Sequence, residues 1–303
     1  MKRVIAGVAT ALAATLAVSA CGSSDPLAED KPSGSNSSET ITVGSANFPE
    51  SALLAEIYAQ ALEAKGVTVD RKTDLGSREK YMDGLKDGSI DLIPEYSGVL
   101  LQFFNKEAEE VSSDEVFTAL QGVLPSNLVV LDKAEAEDKD AIVVTKETAD
   151  KWSLKSIEDL VPHCAEVTFG GPPEIQQRPD GIPGFKAVYG CTFKSFSALE
   201  PGAITTKALL EGTVQAADIF TTDASIEAND LVVLEDPKNN FAAQNVLPLI
   251  NKDKASDTVK AALNAVSAKL DTKSLLELNA ALNAPDKPEY ADVAKDWLSK
   301  AGL

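Results

Sequence analysis

The chain has 303 residues, with 28 Lys and Arg against 47 Asp and Glu and a formal net charge of −19. So acidic a chain is a poor match for a phosphate backbone, which argues against nucleic acid as a partner. Its single histidine, His163, sits beside Cys164, and no His/Cys cluster has metal-ligand spacing, so neither a His-based catalytic centre nor a metal or cofactor is expected.

Lys2 and Arg3 precede an apolar, Ala-rich run over residues 4–18, too short for a membrane span but suited to a signal-peptide core. The run ends in Val18-Ser19-Ala20-Cys21-Gly22, which resembles a bacterial lipobox. That resemblance implies a signal peptide over residues 1–20 and a mature N-terminus lipidated at Cys21. Residues 21–40 are rich in Ser, Gly, Pro, Asp and Asn and cannot bury a core, so they read as a flexible tether. No later stretch is long and apolar enough to cross a bilayer. The folded part is therefore expected at the extracytoplasmic face of the cell membrane, held by lipid alone. With Cys21 assigned to lipid, Cys164 and Cys191 are an even pair in an oxidising compartment and are expected to form a disulfide.

The remaining roughly 260 residues suffice for one large domain or two ordinary ones. Ile41-Thr42-Val43-Gly44 reads as a strand and residues 45–51 as a loop. Leu54, Ile57, Tyr58, Ala61 and Leu62 share a helical face that Gly66 terminates. A short strand at 67–69, a helix at 78–86, a strand at 90–93, a helix at 116–123 and a strand at 128–131 follow. This is strand–helix alternation, the pattern of an α/β fold. Residues 132–140 are charged and lack apolar periodicity, which suggests a first crossing between lobes. A second alternating block runs from Ala141 to Leu234. The polar stretch 235–244 then leads to a strand at 246–250 that returns to the first lobe, and helices fill the remainder. The division is 41–135 with 246–303 for lobe 1 and 136–245 for lobe 2.

The two blocks echo one another. Gly88-Ser89-Ile90-Asp91-Leu92-Ile93-Pro94-Glu95-Tyr96-Ser97 and Gly212-Thr213-Val214-Gln215-Ala216-Ala217-Asp218-Ile219-Phe220-Thr221 each follow a leucine-containing helix ending in an acidic residue. Each then runs glycine, hydroxyl residue, short buried strand, aromatic, hydroxyl residue. Ligands of open α/β sheets bind at the carboxyl ends of strands. Matching loops would set Tyr96 and Phe220 facing each other across a cleft.

Gly76-Ser77-Arg78-Glu79 and the segment from Leu85 through Pro94-Glu95-Tyr96-Ser97-Gly98 are similar to a central motif of the substrate-binding proteins of glycine betaine, carnitine and choline ABC importers. The likeness extends to Val43-Gly44-Ser45-Ala46-Asn47-Phe48, to Phe169-Gly170-Gly171-Pro172-Pro173-Glu174 and on to Arg178-Pro179-Asp180-Gly181, and to Asp218-Ile219-Phe220-Thr221-Thr222-Asp223. The resemblance implies a two-lobed periplasmic-binding-protein-like (type II) fold with two crossings, closing on its ligand. It also implies a box of aromatic rings around a quaternary ammonium head, the natural site for a cation without hydrogen-bond donors.

Carried over position by position, Tyr96 and Phe220 are the rings, and Arg178 matches an arginine that pairs with a ligand carboxylate. Ser45 and Asn47 follow the first strand, where donors reach a ligand or serve a turn, and Thr221 adjoins the second ring. Asp140 supplies charge or is a solvated hinge residue, and Phe241 is a candidate third ring. The sequence departs from the family at Ala46, where a lysine is common, and at Val99, where a hydroxyl residue is common. Both departures remove carboxylate-holding groups and point toward choline or another neutral-tailed or larger ligand.

The partners implied are a small cationic or zwitterionic solute and an ABC permease with its ATPase, for a monomer without enzymatic activity. Two rival readings stay in view. One is a surface sensor with the same lobes; the other is a secreted hydrolase built on paired carboxylates, for which an aromatic content of 6% offers a meagre sugar cleft.

Overall fold

The computed structural model describes residues 40–284 and 286–303. The expected signal peptide, Cys21 and the tether up to residue 39 lie outside the described residues. Ten strands build the sheets: β1 (Ile41–Gly44), β2 (Val69–Lys72), β3 (Leu92–Tyr96), β4 (Leu128–Val130), β5 (Ile142–Val144), β6 (Thr168–Gly171), β7 (Ser195–Ala198), β8 (Ala216–Asp218), β9 (Val232–Val233) and β10 (Val246–Asn251). The helices that matter below are α1 (Pro49–Glu63), α2 (Arg78–Asp87), α3 (Ser97–Phe104), α4 (Ser113–Val123), α5 (Lys146–Trp152), α6 (Ile157–Leu160), α7 (Ile182–Gly184), α8 (Ala203–Leu210), α9 (Ser225–Ala228), α10 (Asp257–Ser267), α11 (Thr272–Leu282) and α12 (Tyr290–Ala301).

Two five-stranded mixed sheets result, ordered β2-β1-β3-β10-β4 and β7-β6-β8-β5-β9. In the first, β1 lies parallel between β2 and β3, and β10 runs antiparallel to β3 and β4. In the second, β6 lies parallel between β7 and β8, and β5 runs antiparallel to β8 and β9. The two orders are the same once strands are matched by position. The fourth strand of each sheet, β10 or β5, is the one the chain enters on arriving from the other lobe. The fifth, β4 or β9, is the last before the chain leaves. The fold is α/β and two-lobed, and the echo between the two blocks follows from this shared order. Gly88 and Gly212 both take left-handed backbone, with φ of 80° and 70°, conformations open to glycine without steric cost. Each ends a helix and starts the chain toward the central parallel strand, β3 or β8.

Each sheet is covered on both faces, as strands in a largely parallel sheet require. In the first lobe α1, α10, α11 and α12 close one face around Leu53, Ile57, Tyr58 and Leu263, while Met82, Leu85, Leu100 and Leu120 close the other. In the second lobe Phe169 and Phe185 anchor one core and Val143, Ala217 and Leu209 the other. Cys164 and Cys191 are joined, with Cα atoms 5.6 Å apart, as the cysteine count predicts.

The two connecting segments run side by side. Ala134 N donates to Val246 O at 2.8 Å, Val246 N to Ala136 O at 3.0 Å, and Asp138 N to Gln244 O at 3.1 Å. Residues 132–140 lack a periodic apolar pattern because they form an extended rung. Ala134 and Ala136 are nonetheless buried.

Candidate functional site

Tyr96 is the last residue of β3, and Phe220 follows β8 by two residues. Strand β3 and the loop after β8 thus carry one ring from each lobe to the same cleft. Phe48 stands between them. It is the extended N-cap of α1 (φ −141°, ψ 153°), directly before Pro49, whose fixed φ suits the first helical position. The Phe48 ring centroid lies 6.0 Å from that of Tyr96 and 5.1 Å from that of Phe220, both tilted. The three rings line a cavity of about 50 Å³ between the lobes, together with Asn47, Asp138, Asp140, Glu174, Arg178 and Gln244. Larger cavities flank it. One of about 530 Å³ lies beyond Phe48 and Phe220, and one of about 370 Å³ lies beyond Val99 and Arg178.

The lobes touch across this cleft. Asn47 Nδ2 donates to Glu200 Oε2 at 3.0 Å, and Arg178 Nε donates to Glu79 Oε1 at 3.1 Å. Arg178 Nη2 also reaches Glu79 Oε2 at 3.3 Å, and Glu174 lies 3.7 Å away. Burial raises the Glu79 carboxyl, but the hydrogen bonds and charge of Arg178 outweigh it and hold the group down at about 2. Arg78, at the cavity wall, is engaged twice by buried Glu95, at 2.8 and 2.7 Å.

The buried carboxyls of Asp138, Asp180 and Asp218 are in the opposite condition. Burial pushes the Asp138 carboxyl well above the usual carboxylate range, and the charge of Glu50 adds to this against hydrogen bonds from Thr222. Burial and then the charge of Asp140 raise Asp180 to about 7. Asp218, at the end of β8, is raised by burial and by the charges of Asp140 and Asp180. Such a site disfavours more negative charge and rewards a cation that relieves it.

Of the residues singled out in the sequence, Tyr96, Phe220, Arg178, Asn47 and Asp140 line the central cavity. Asp140 is buried rather than solvated and accepts Gln244 Nε2 at 3.0 Å. Three others stand elsewhere. Phe241 packs in the second-lobe core with its centroid 5.7 Å from that of Phe185, and Asp236 Oδ2 accepts its backbone N–H at 2.8 Å. Ser45 is fully buried, where its hydroxyl accepts the Asp74 N–H at 3.0 Å and fastens one loop to another. Thr221 faces the connecting segment: its hydroxyl accepts the Lys139 N–H at 2.9 Å and donates to Asp138 at 3.3 Å. The neighbouring Thr222 points toward lobe 1 instead, donating to Glu50.

The sequence reading missed Phe48 as a ring, and with it Glu50, Asp138 and Gln244. The signal for Phe48 was present, since an aromatic directly before a proline-started helix sits at the mouth of β1. Ala46 and Val99, the two departures from the family pattern, both line the cavity, and neither offers a side-chain hydrogen bond.

Four comparisons with known proteins place the chain. The glycine betaine-binding protein YehZ of Escherichia coli K12 is 28% identical over 277 residues, spanning 86% of this chain and 90% of that protein. The ergothioneine transport permease/ergothioneine binding protein EgtU of Helicobacter pylori is 25% identical across 87% of this chain, which spans 48% of its length. A solved glycine betaine/carnitine/choline ABC transporter structure shares the fold, with a TM-score of 0.68, 24% identity and coverage of 86% of this chain and 98% of that one. The model of the substrate-binding domain of ABC-type glycine betaine transport systems matches residues 39–300, and this chain belongs to that family.

Proposed function

We propose that the protein captures a quaternary ammonium solute between its lobes, with the cationic head among Tyr96, Phe48 and Phe220, and presents it to an ABC permease. The observation that carries this is the convergence of rings from both lobes on a cavity lined by buried carboxylates. A methylated cation has no donors to offer, and ring faces hold it by about 0.5–2 kcal/mol each, more when water is excluded.

Choline fits this setting better than glycine betaine. Arg178 is already engaged by Glu79 and Glu174, Ala46 and Val99 provide no donor for a carboxylate, and the buried carboxyls of Asp138 and Asp140 favour a cation over further negative charge. The paired segments around Asp138 and Gln244 serve as the hinge, with 41–135 and 246–303 moving against 136–245. In the cell the protein works as a monomer, tethered by lipid at Cys21 on the outer face of the membrane and cut from its signal peptide there. Titration calorimetry with choline, glycine betaine, carnitine and ectoine tests the reading. Choline should give the tightest isotherm; no heat from any of the four would contradict it.

A further inference from the structure

Glu50 lies in the first turn of α1 and keeps only 5% of its surface exposed. Its carboxylate stands where three elements meet. Oε1 accepts the Tyr96 hydroxyl at 2.6 Å, and Oε2 accepts the hydroxyl of Thr222, from the other lobe, at 2.6 Å. Oε2 also accepts the side-chain amide of Asn279 on α11, and the same amide donates to Thr222 O at 3.1 Å. Thr222 N in turn donates to Asp138 Oδ1 at 3.1 Å, within the segment that connects the lobes. A continuous path of hydrogen bonds therefore runs from a cleft ring, through Glu50, to the opposite lobe and the hinge.

Burial raises the Glu50 carboxyl against hydrogen bonds from Thr222, Tyr96 and Asn279, and a group this deep is costly unless its lone pairs are filled. Filling them takes donors from both lobes. When the lobes part, Thr222 leaves with lobe 2 and Oε2 loses one of its two partners. The Tyr96 hydroxyl shares the same carboxylate, so the setting of that ring and the approach of the lobes are tied to one group.

We propose that Glu50 is a closure-linked positioning residue: it fixes the Tyr96 ring for the bound cation and couples that setting to lobe closure through Thr222. The inference rests on the reading of the cleft as a cation site for its ligand arm, and on the hydrogen-bond path alone for its closure arm.

The test uses full-length protein and choline as the probe. Glu50→Gln keeps the shape and replaces one acceptor oxygen by a donor. It should weaken choline binding about tenfold, chiefly through faster dissociation. Tyr96→Phe and Thr222→Val each delete one donor without disturbing the core. Together they should weaken binding by clearly less than the product of their separate effects, and neither should add to Glu50→Gln. Hydrogen–deuterium exchange of the ligand-free protein is the second readout, and residues 219–225 should exchange faster in Glu50→Gln. Independent, multiplying effects of Tyr96→Phe and Thr222→Val overturn the proposal, as does wild-type choline affinity in Glu50→Gln. If the wild-type protein binds no quaternary amine, the capture reading falls. The exchange measurement then decides the closure role by itself, and unchanged exchange overturns it.

Discussion

Phe48 and Phe220 belong to different lobes, and their ring centroids stand 5.1 Å apart across the cleft. One is fixed by the start of α1 and the other by the loop after β8, so the pair exists only when the lobes are together. A ring-lined cation site with one wall on each lobe turns ligand binding into closure, because a cation held by both walls stabilises the state in which they meet.

Phe48 is therefore expected to matter as much as the two rings legible in the sequence. Phe48→Ala should weaken choline binding at least tenfold, comparable to Tyr96→Ala, while Phe241→Ala should cost stability with little change in affinity. Calorimetry and thermal melting on the three variants check this. A tighter effect from Phe241 than from Phe48 would reverse the assignment made here.

The fold was largely legible because its determinants are local and periodic. The strand and helix patterns around Ile41, Leu54, Leu92 and Val246 each marked an element of the observed sheets, and the echoed glycines Gly88 and Gly212 marked equivalent turns. Boundaries shifted where a second signal competed. The strand read at 90–93 runs instead over Leu92–Tyr96, since Ile90 is drawn into the first-lobe core beside Gly84. Helix α3 went unread because its Ser97-Gly98 start looks like a turn.

The site was legible only in part. Tyr96 and Phe220 announced themselves by repetition. Phe48 has no counterpart in the second block, and Glu50 sits in what reads as a surface-type first helical turn. Its role depends on Thr222 and Asn279, 172 and 229 residues away, and no local pattern carries such a pairing. Phe241 misled because an aromatic near a lobe crossing can turn to either side, and this one packs against Phe185 in the second-lobe core.

Acidity should act on affinity and stability in opposite directions. Burial raises Asp138 above the ordinary carboxylate range, so the ligand-free site tends to hold a proton. A cation beside it favours the ionised form and expels that proton. Choline affinity should therefore rise as pH increases from about 5 to about 8. For stability the sign is the reverse. Asp180, at about 7 in the folded protein and 3.8 as its reference, binds more protons folded than unfolded over that interval. The melting temperature of the ligand-free protein should fall as pH rises toward about 7. Scanning fluorimetry and calorimetry across this range measure both slopes.

Glu79 occupies Arg178 in the ligand-free cleft and is expected to set the preference between cation and zwitterion. Glu79→Gln leaves the guanidinium with a weaker partner and frees it for a ligand carboxylate. Glycine betaine should gain roughly fivefold relative to choline in this variant, by competition calorimetry. An unchanged ratio would mean that Arg178 does not face the ligand.

The Cys164–Cys191 bond spans 27 residues and joins the 3₁₀ turn Val161–Glu166 before β6 to the segment ahead of β7, both part of the core around Phe169. Replacing both cysteines by alanine should cost about 3–4 kcal/mol by the loop-entropy estimate and lower the melting temperature accordingly. Choline affinity at low temperature should hold, because neither residue lines the cleft.

A crystal structure of the choline complex addresses the central claim most directly. The quaternary nitrogen should lie within about 6 Å of the ring centroids of Tyr96, Phe48 and Phe220 at once. A nitrogen seated beside Arg178 and Glu79, or in either flanking cavity away from the rings, would contradict it.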